Sequence, residues 1–153
     1  RRQRQMCIRD SRTQISVAEL FTDLKKLFPE EEFQFEAPSP ELKLNADRTQ
    51  IEQVLINLLK NAREACNRKL DKNIQVKVKK LSTGNTALTI SDNGEGILPD
   101  VLDKIFVPFF TTKTSGSGIG LSLCKQIMTL HEGSINVKSE VGKGSSFILT
   151  FPK

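Results

Sequence analysis

The sequence predicts a single α/β (α+β) two-layer sandwich, in which a mixed, mostly antiparallel sheet is covered on one face by helices. Three observations lead there. Apolar residues Ile51, Val54, Leu55, Leu58, Ala62 and Ala65 recur at the helical period behind Asp47. The runs Ile74–Leu81 and Thr86–Ser91 flank Thr83-Gly84-Asn85, a hairpin signal. The glycine-rich run Gly116–Gly120 opens an apolar helical stretch over Leu121–Leu130, and a second hairpin follows, Ser134–Ser139 and Ser146–Phe151 around Gly142-Lys143-Gly144. Helices interleaved with antiparallel strands fit one sheet with a helical cover.

Each element has its own local cause. Ser16 caps a helix from Val17 to Phe28, Glu19 completes a capping box, and Leu20, Leu24, Leu27 and Phe28 form the apolar stripe that Pro29 ends. Phe33–Ala37 alternates as a strand, and Pro38 and Pro40 turn the chain into a second short strand, Leu42–Asn45. Asp47 caps the long helix, and Cys66 and Cys124, outside any CxxC pair, fit small apolar core positions in a reducing compartment.

Residues 1–11 are expected to lie outside this domain, which then runs over 12–153. Arg1–Asp10 reads back through the genetic code as a nucleotide string resembling a transposase-type sequencing adapter, and Ser11 is compatible with the next codon. The alternative is a basic arm for nucleic acid or anionic lipid. Four arginines and Asp10 supply +3 of the net charge of +5, so the remainder carries +2 and gives little support for a nucleic-acid partner. No apolar run approaches the roughly 18–20 residues that span a bilayer. A cytoplasmic location is expected, with membrane anchoring left to an upstream part of a longer protein.

The chemistry gathers in boxes of fixed order. Asn57 and Asn61 are four apart on one helix face, a stripe continued by Glu64 and Arg68. Asparagine is a poor residue for a helix interior. The face reads either as a solvated polar surface or, with Lys60 and Arg63 beside it, as a site for a Mg²⁺-triphosphate, since Mg²⁺ takes oxygen ligands and keeps several waters. Asp92-Asn93-Gly94-Glu95-Gly96 ends a strand. It reads either as a plain turn or as an adenine reader, where the glycines admit a flat ring and the carboxylate accepts from an exocyclic amine that guanine lacks at that position. Gly116-Ser117-Gly118-Ile119-Gly120 lacks the Gly-Lys-Ser/Thr ending of a Walker A loop and the preceding strand of a dinucleotide fingerprint. It leads into a helix N-terminus, which suits an anion, with Lys113 placed to reach phosphates.

The order of Asn57/Asn61, Asp92-Asn93-Gly94-Glu95-Gly96, Phe106-Val107-Pro108-Phe109 and Gly116–Leu121 resembles the N, G1, F and G2 boxes of sensor histidine kinases. These belong to the GHKL ATPase superfamily with gyrase, Hsp90 and MutL. The likeness extends from Ser16 to Lys153, and Val141–Phe147 resembles the family's closing GxG-S/T-x-F hairpin. The resemblance implies a Bergerat fold with ATP and Mg²⁺ as cofactors. It implies Asn61 as metal ligand and Asn57, Lys60 and Lys113 in catalysis. The nucleotide would be contacted by Asn57, Asn61, Asp92, Gly94, Gly96, Ile97, Phe106, Phe109, Thr112, Lys113, Gly116, Gly118, Ile119, Gly120, Leu121 and Ser145, under a short lid between the F and G2 boxes.

Two departures qualify the carry-over. Many family members have a basic residue where this chain has Glu64, leaving Lys60 or Arg63 to contact phosphate. The sole histidine, His131, ends a helix before a turn, so the phosphoacceptor is expected on an upstream helical domain. Implied partners are that histidine-bearing dimerisation domain of the same protein and the receiver domain of a response regulator; the full-length protein is expected to be a homodimer and this piece a monomer. Alternatives are a GHKL ATPase machine, which needs an acidic base where Asn57 stands, and a nucleotide-binding regulatory module without transfer activity.

Overall fold

The computed structural model describes residues 12–28, 31–67, 69–108 and 120–153. In chain order the elements are β1 (Thr13–Ser16), α1 (Val17–Leu27), β2 (Phe33–Phe35), β3 (Lys43–Ala46), α2 (Arg48–Ala65), β4 (Ile74–Lys80), β5 (Thr86–Asp92), α3 (Pro99–Leu102), α4 (Gly120–Leu130), β6 (Ser134–Glu140) and β7 (Gly144–Phe151). Five strands form the main sheet in the order β2-β4-β5-β7-β6. Only β2 and β4 run parallel; the other neighbours are antiparallel. Strands β1 and β3 make a separate antiparallel pair.

Period-two alternation divides the sheet into two faces. Val76 of β4, Leu88 and Ile90 of β5, and Phe147, Leu149 and Phe151 of β7 are buried with the inner faces of α1, α2 and α4 in one core. The opposite face carries Gln75, Lys77, Thr89 and Ser146, and there Ser91 and Ser146 share a hydroxyl hydrogen bond of 2.8 Å. The expected mixed sheet with helices on one face is therefore the observed one. Ser16 Oγ accepts from the Glu19 N–H and Asp47 Oδ1 from the Gln50 N–H, so both predicted helix caps are formed.

The sequence reading differs from the fold in several places. Strand β1 and the short helix α3 went unforeseen: four residues are too few for a periodic signal, and within α3 only Pro99 at its start marks it. The strand predicted over 33–37 stops at Phe35, and the next one lies at Lys43–Ala46 in the other sheet. Leu27 is 61% exposed, because the inward positions advance by four from Leu20 to Leu24 to Phe28. Asp92 closes β5 instead of following it, held in register opposite Ile74 and Ser145.

The end of α4 is tied down by His131, which is 2% exposed. The Asp47 N–H donates to His131 Nε2 at 3.0 Å, and Nδ1 lies 2.9 Å from the Ile127 carbonyl. A carbonyl can only accept, so Nδ1 carries the proton and the ring is neutral. Arg12 adds a bond from Nη2 to the Leu130 carbonyl at 3.0 Å.

Removal of residues 1–11 should leave the thermal midpoint unchanged, since a charged, aperiodic segment brings no apolar face to bury. Removal through Ser16 should lower it, because it deletes β1 and a helix cap that alone contributes about 1 kcal/mol. Circular-dichroism melts of the two truncations test this; a fall of several degrees on removing only 1–11 would count against the domain boundary.

Candidate functional site

The site begins where β5 ends. Asp92 is half-buried, its Oδ1 accepts the Gly94 N–H at 2.9 Å, and the Ser145 backbone N–H also favours its charged form. Burial outweighs both and raises the carboxyl above its ordinary range.

The turn after Asp92 is held by backbone contacts that side chains would prevent. A Cβ at Gly94 would strike the Ala65 carbonyl at the end of α2, one at Gly96 the Glu140 carbonyl, and one at Gly144 the carbonyl of Asp92 itself. Gly96 also adopts φ +80°, in the left-handed region. Hydrogen bonds follow the same contacts. The Glu95 N–H donates to Ala65 O at 3.2 Å, and Gly142 N–H donates to Glu95 O at 2.8 Å. Asn93 anchors the turn on its other side: Oδ1 accepts from the Asn73 N–H at 2.9 Å and from the Cys66 thiol at 3.4 Å, while Nδ2 donates to Asp71 O at 2.8 Å.

Helices α2 and α4 form the adjoining wall. A Cβ on Gly120 would sit 3.9 Å from Asn57 Cγ, so the N-terminus of α4 lies beside Asn57. Asn57 Nδ2 donates to Cys124 Sγ at 3.9 Å, and the thiol in turn donates to Val54 O at 3.8 Å. Burial pushes that thiol up to about 11, so Cys124 is a neutral packing group. Asn61 is half-buried one turn further along α2, and one turn more reaches Ala65, where the Asp92 turn packs. Phe106, half-buried, lies under the Lys125 ammonium at 5.5 Å from its ring centroid. Ile97 and Leu121 are half-buried against the core.

The structure thus groups Asn57 with Gly120, and Asp92 with Gly94 and Ser145, while Gly96 and Ile97 seat the same turn on the closing hairpin. Lys60 is exposed on α2 between the two asparagines in sequence. Phe109, Thr112, Lys113, Gly116, Gly118 and Ile119 lie outside the described residues. Arg63 corrects the sequence reading. It is roughly 200° round the helix from Asn61, stacked 5.2 Å and 5.3 Å from the Phe28 and Phe33 ring centroids and 3.7 Å from Glu32. A guanidinium so engaged faces away from the Asn57 flank, leaving Lys60 as the basic residue of α2 on that side.

Among the described residues no group of three or more His, Cys, Asp or Glu side chains could hold a metal. Asn61, the expected metal ligand, is half-buried on α2. Two residues escaped the sequence reading. Asn93 was visible within its box, but its partners come from a distant segment; Ser139 carries no local signal and reaches the site only through strand register.

Comparison with known proteins gives a consistent result. The family described as histidine kinase-, DNA gyrase B- and HSP90-like ATPase matches residues 46–153. The sensor histidine kinase ZraS of Salmonella typhimurium is 42% identical over 110 residues, covering 72% of this chain and 23% of that protein. The signal transduction histidine-protein kinase AtoS of Escherichia coli is 43% identical over 109 residues, 71% of this chain and 18% of that one. The chain therefore spans less than a quarter of the length of these curated relatives. The solved catalytic domain of histidine kinase ThkA superposes with a TM-score of 0.81 at 36% identity, covering 93% of this chain and 95% of that domain. ThkA solved in complex with the response regulator TrrA superposes with a TM-score of 0.76 at 34% identity, covering 93% and 42%.

The raised Asp92 carboxyl has a calculable sign. The folded chain holds that proton to a higher pH than the unfolded chain, so the group's contribution to stability is full below the unfolded value and is lost as pH climbs through the raised folded one. At neutral pH the charged side chain is therefore a cost to the nucleotide-free protein. Asp92→Asn should leave urea stability equal or higher while weakening ATP binding by about 1.5–3 kcal/mol, the range for a hydrogen bond to a charged group. In the parent protein ATP affinity should fall as pH drops through the raised Asp92 value, and ATP should bind in preference to GTP. Equal affinity for the two nucleotides would sink the adenine-reader assignment.

Proposed function

The chain belongs to the histidine kinase-, DNA gyrase B- and HSP90-like ATPase family, and from that premise we propose that it binds Mg-ATP and donates the γ-phosphoryl group to a histidine on a separate helical domain of a longer sensor kinase. The observation that carries the reading is the pairing of two unlike walls. A half-buried carboxylate sits in a glycine turn against the closing hairpin, and Asn57 lies against the N-terminus of α4. The first suits a base with an exocyclic amine. The second suits phosphates, because helix N-terminal N–H groups and the helix dipole favour anions.

In this reading Asp92 accepts from the adenine amine while Gly94 and Gly96 let backbone lie close to the ring. Asn61 would hold the Mg²⁺, which would supply charge neutralisation across the phosphate oxygens, with Asn57 beside the triphosphate. Lys60 and Lys113 add positive charge towards the triphosphate, and the Gly116–Leu121 segment cradles it. Transfer forms a bond from an imidazole nitrogen of the acceptor to the γ-phosphorus and breaks the bond to the bridging oxygen, which leaves on ADP. Positioning and charge stabilisation carry most of such a step.

His131 supports the placement of the acceptor elsewhere. Both its ring nitrogens are engaged and the ring is 2% exposed. Asn57 brings no carboxylate to activate water, and its amide is turned by a bond to Cys124, which disfavours a fast ATPase. The remaining partners follow from the same premise: a dimeric acceptor domain, making the full-length protein a homodimer, and a response-regulator receiver domain, by analogy with the ThkA–TrrA complex. A cytoplasmic site of action follows from ATP as donor. No helix among the described residues is long and apolar enough to cross a membrane.

Two measurements test the proposal. Asn61→Ala should abolish Mg²⁺-dependent binding of a fluorescent ATP analogue in a chain that still folds; retained affinity would remove Asn61 from the site. Incubated alone with γ-labelled ATP, the chain should bind nucleotide but form no stable phosphoprotein. A cognate dimeric histidine domain added in trans should acquire acid-labile, alkali-stable label. Labelling of His131, or rapid hydrolysis without an acceptor, would overturn the assignment.

A further inference from the structure

We propose that Ser139 is a positioning residue that sets the base preference of the site by fixing which way the Ser145 hydroxyl points. The inference rests on the adenine reading of Asp92 and deepens it. Ser139, Ser145 and Asp92 occupy one row across β6, β7 and β5, paired Ser139 to Ser145 and Ser145 to Asp92. They share the helix-covered face, where directly opposite side chains approach to roughly 4.5–5.5 Å.

The Ser139 hydroxyl has three neighbours. The Ile97 N–H reaches its oxygen at 2.8 Å, the Gly144 carbonyl lies at 3.0 Å, and Ser145 Oγ lies at 2.8 Å. A hydroxyl has one hydrogen to give and two lone pairs to receive. Ile97 N–H can only donate and Gly144 O can only accept, so Ser139 gives its hydrogen to Gly144 and receives one from Ile97. Making all three contacts at once then requires Ser145 to donate and Ser139 to accept. With its hydrogen committed, Ser145 can offer only lone pairs to a ligand.

An acceptor beside the Asp92 carboxylate matches a base edge that presents an amine and opposes one that presents a carbonyl oxygen. Discrimination against guanine is thereby shared between a charge and a hydroxyl whose orientation is set from the neighbouring strand. The same serine ties Ile97, one residue beyond the glycine turn, to the hairpin that also contacts Gly96 and Glu95. No base contact by Ser139 itself is needed.

The test measures ATP and GTP affinities of the chain and of Ser139→Ala, Ser139→Cys and Ser139→Thr by displacement of a fluorescent nucleotide. Ser139→Ala frees the Ser145 hydroxyl to rotate and donate, so the GTP-to-ATP ratio of dissociation constants should fall about three- to tenfold, the effect of one neutral hydrogen bond. Ser139→Cys keeps the shape but offers sulfur, a weak acceptor, and should behave alike; it decides the matter if the alanine variant does not fold. Ser139→Thr restores the hydroxyl and should restore the ratio. A loss of equal size for both nucleotides would reveal a merely structural residue and overturn the inference. An unchanged ratio in the cysteine and alanine variants, with adenine preference intact in the parent, would overturn it while leaving the adenine reading standing. Failure of the parent chain to bind ATP would overturn both.

Discussion

Close backbone-to-backbone approach around the turn from Asp92 to Ile97 is the constraint on which the rest of the site depends. The turn is wedged between the last residue of α2 and the β6–β7 hairpin, and at Gly94, Gly96 and Gly144 a single added carbon would meet a main-chain carbonyl. Main-chain atoms cannot swing aside as a side-chain tip can, so these glycines set how near three elements come together. Because they come so near, Glu95 bonds through its N–H to Ala65 and through its carbonyl to Gly142. The turn is thereby referenced both to the helix bearing Asn57 and Asn61 and to the strand bearing Ser145. Asp92 and Ser145 on one side and Asn57 and Asn61 on the other, far apart in sequence, inherit a fixed relation from it.

That rigidity supports a charge in an awkward position. Asp92 loses hydration by burial and recovers only part of it from the N–H groups of Gly94 and Ser145. A residue chosen for stability alone would be neutral there, since buried charge without full compensation is unfavourable. Under the proposed reading, that unspent hydrogen-bonding capacity is what a ligand amine would meet. The Asn57–Cys124–Val54 chain follows another logic: burial holds the thiol neutral, the thiol orients the amide, and the amide borders the start of α4.

What could be read from sequence divides along physical lines. Long periodic elements were legible because many residues vote for them: α2 over 18 residues with its Asp47 cap, and the β4–β5 and β6–β7 hairpins with their glycine turns. The glycine turn was legible because Gly94 and Gly96 answer a requirement for close approach that other residue types fail. Strand β1 was not, having four residues and one buried side chain, Ile15. Arg63 misled because a basic residue beside Asn61 in sequence lies on the far flank of the helix, over Phe28 and Phe33. Ser139 was invisible because nothing local distinguishes it from the other strand serines. Its partners are defined only once β6 registers against β7 and the Asp92 turn folds onto both.

The single histidine shows how the same residue type can be spent on architecture. His131 joins the end of α4 to the start of α2 by accepting the Asp47 N–H, one of the donors that precede a helix and lack a partner within it. Its other nitrogen returns to the carbonyl of Ile127, so the ring bridges two helices in one protonation state. The bridge lies at the opposite end of α4 from Gly120 and Asn57. The far end of α4 is therefore fixed against α2 by an imidazole, while nearer its start Cys124 meets Asn57 and Val54 of α2. A histidine bound into that bridge cannot also serve as a nucleophile without releasing the helix it holds. The folded chain thus commits its one imidazole to a structural use.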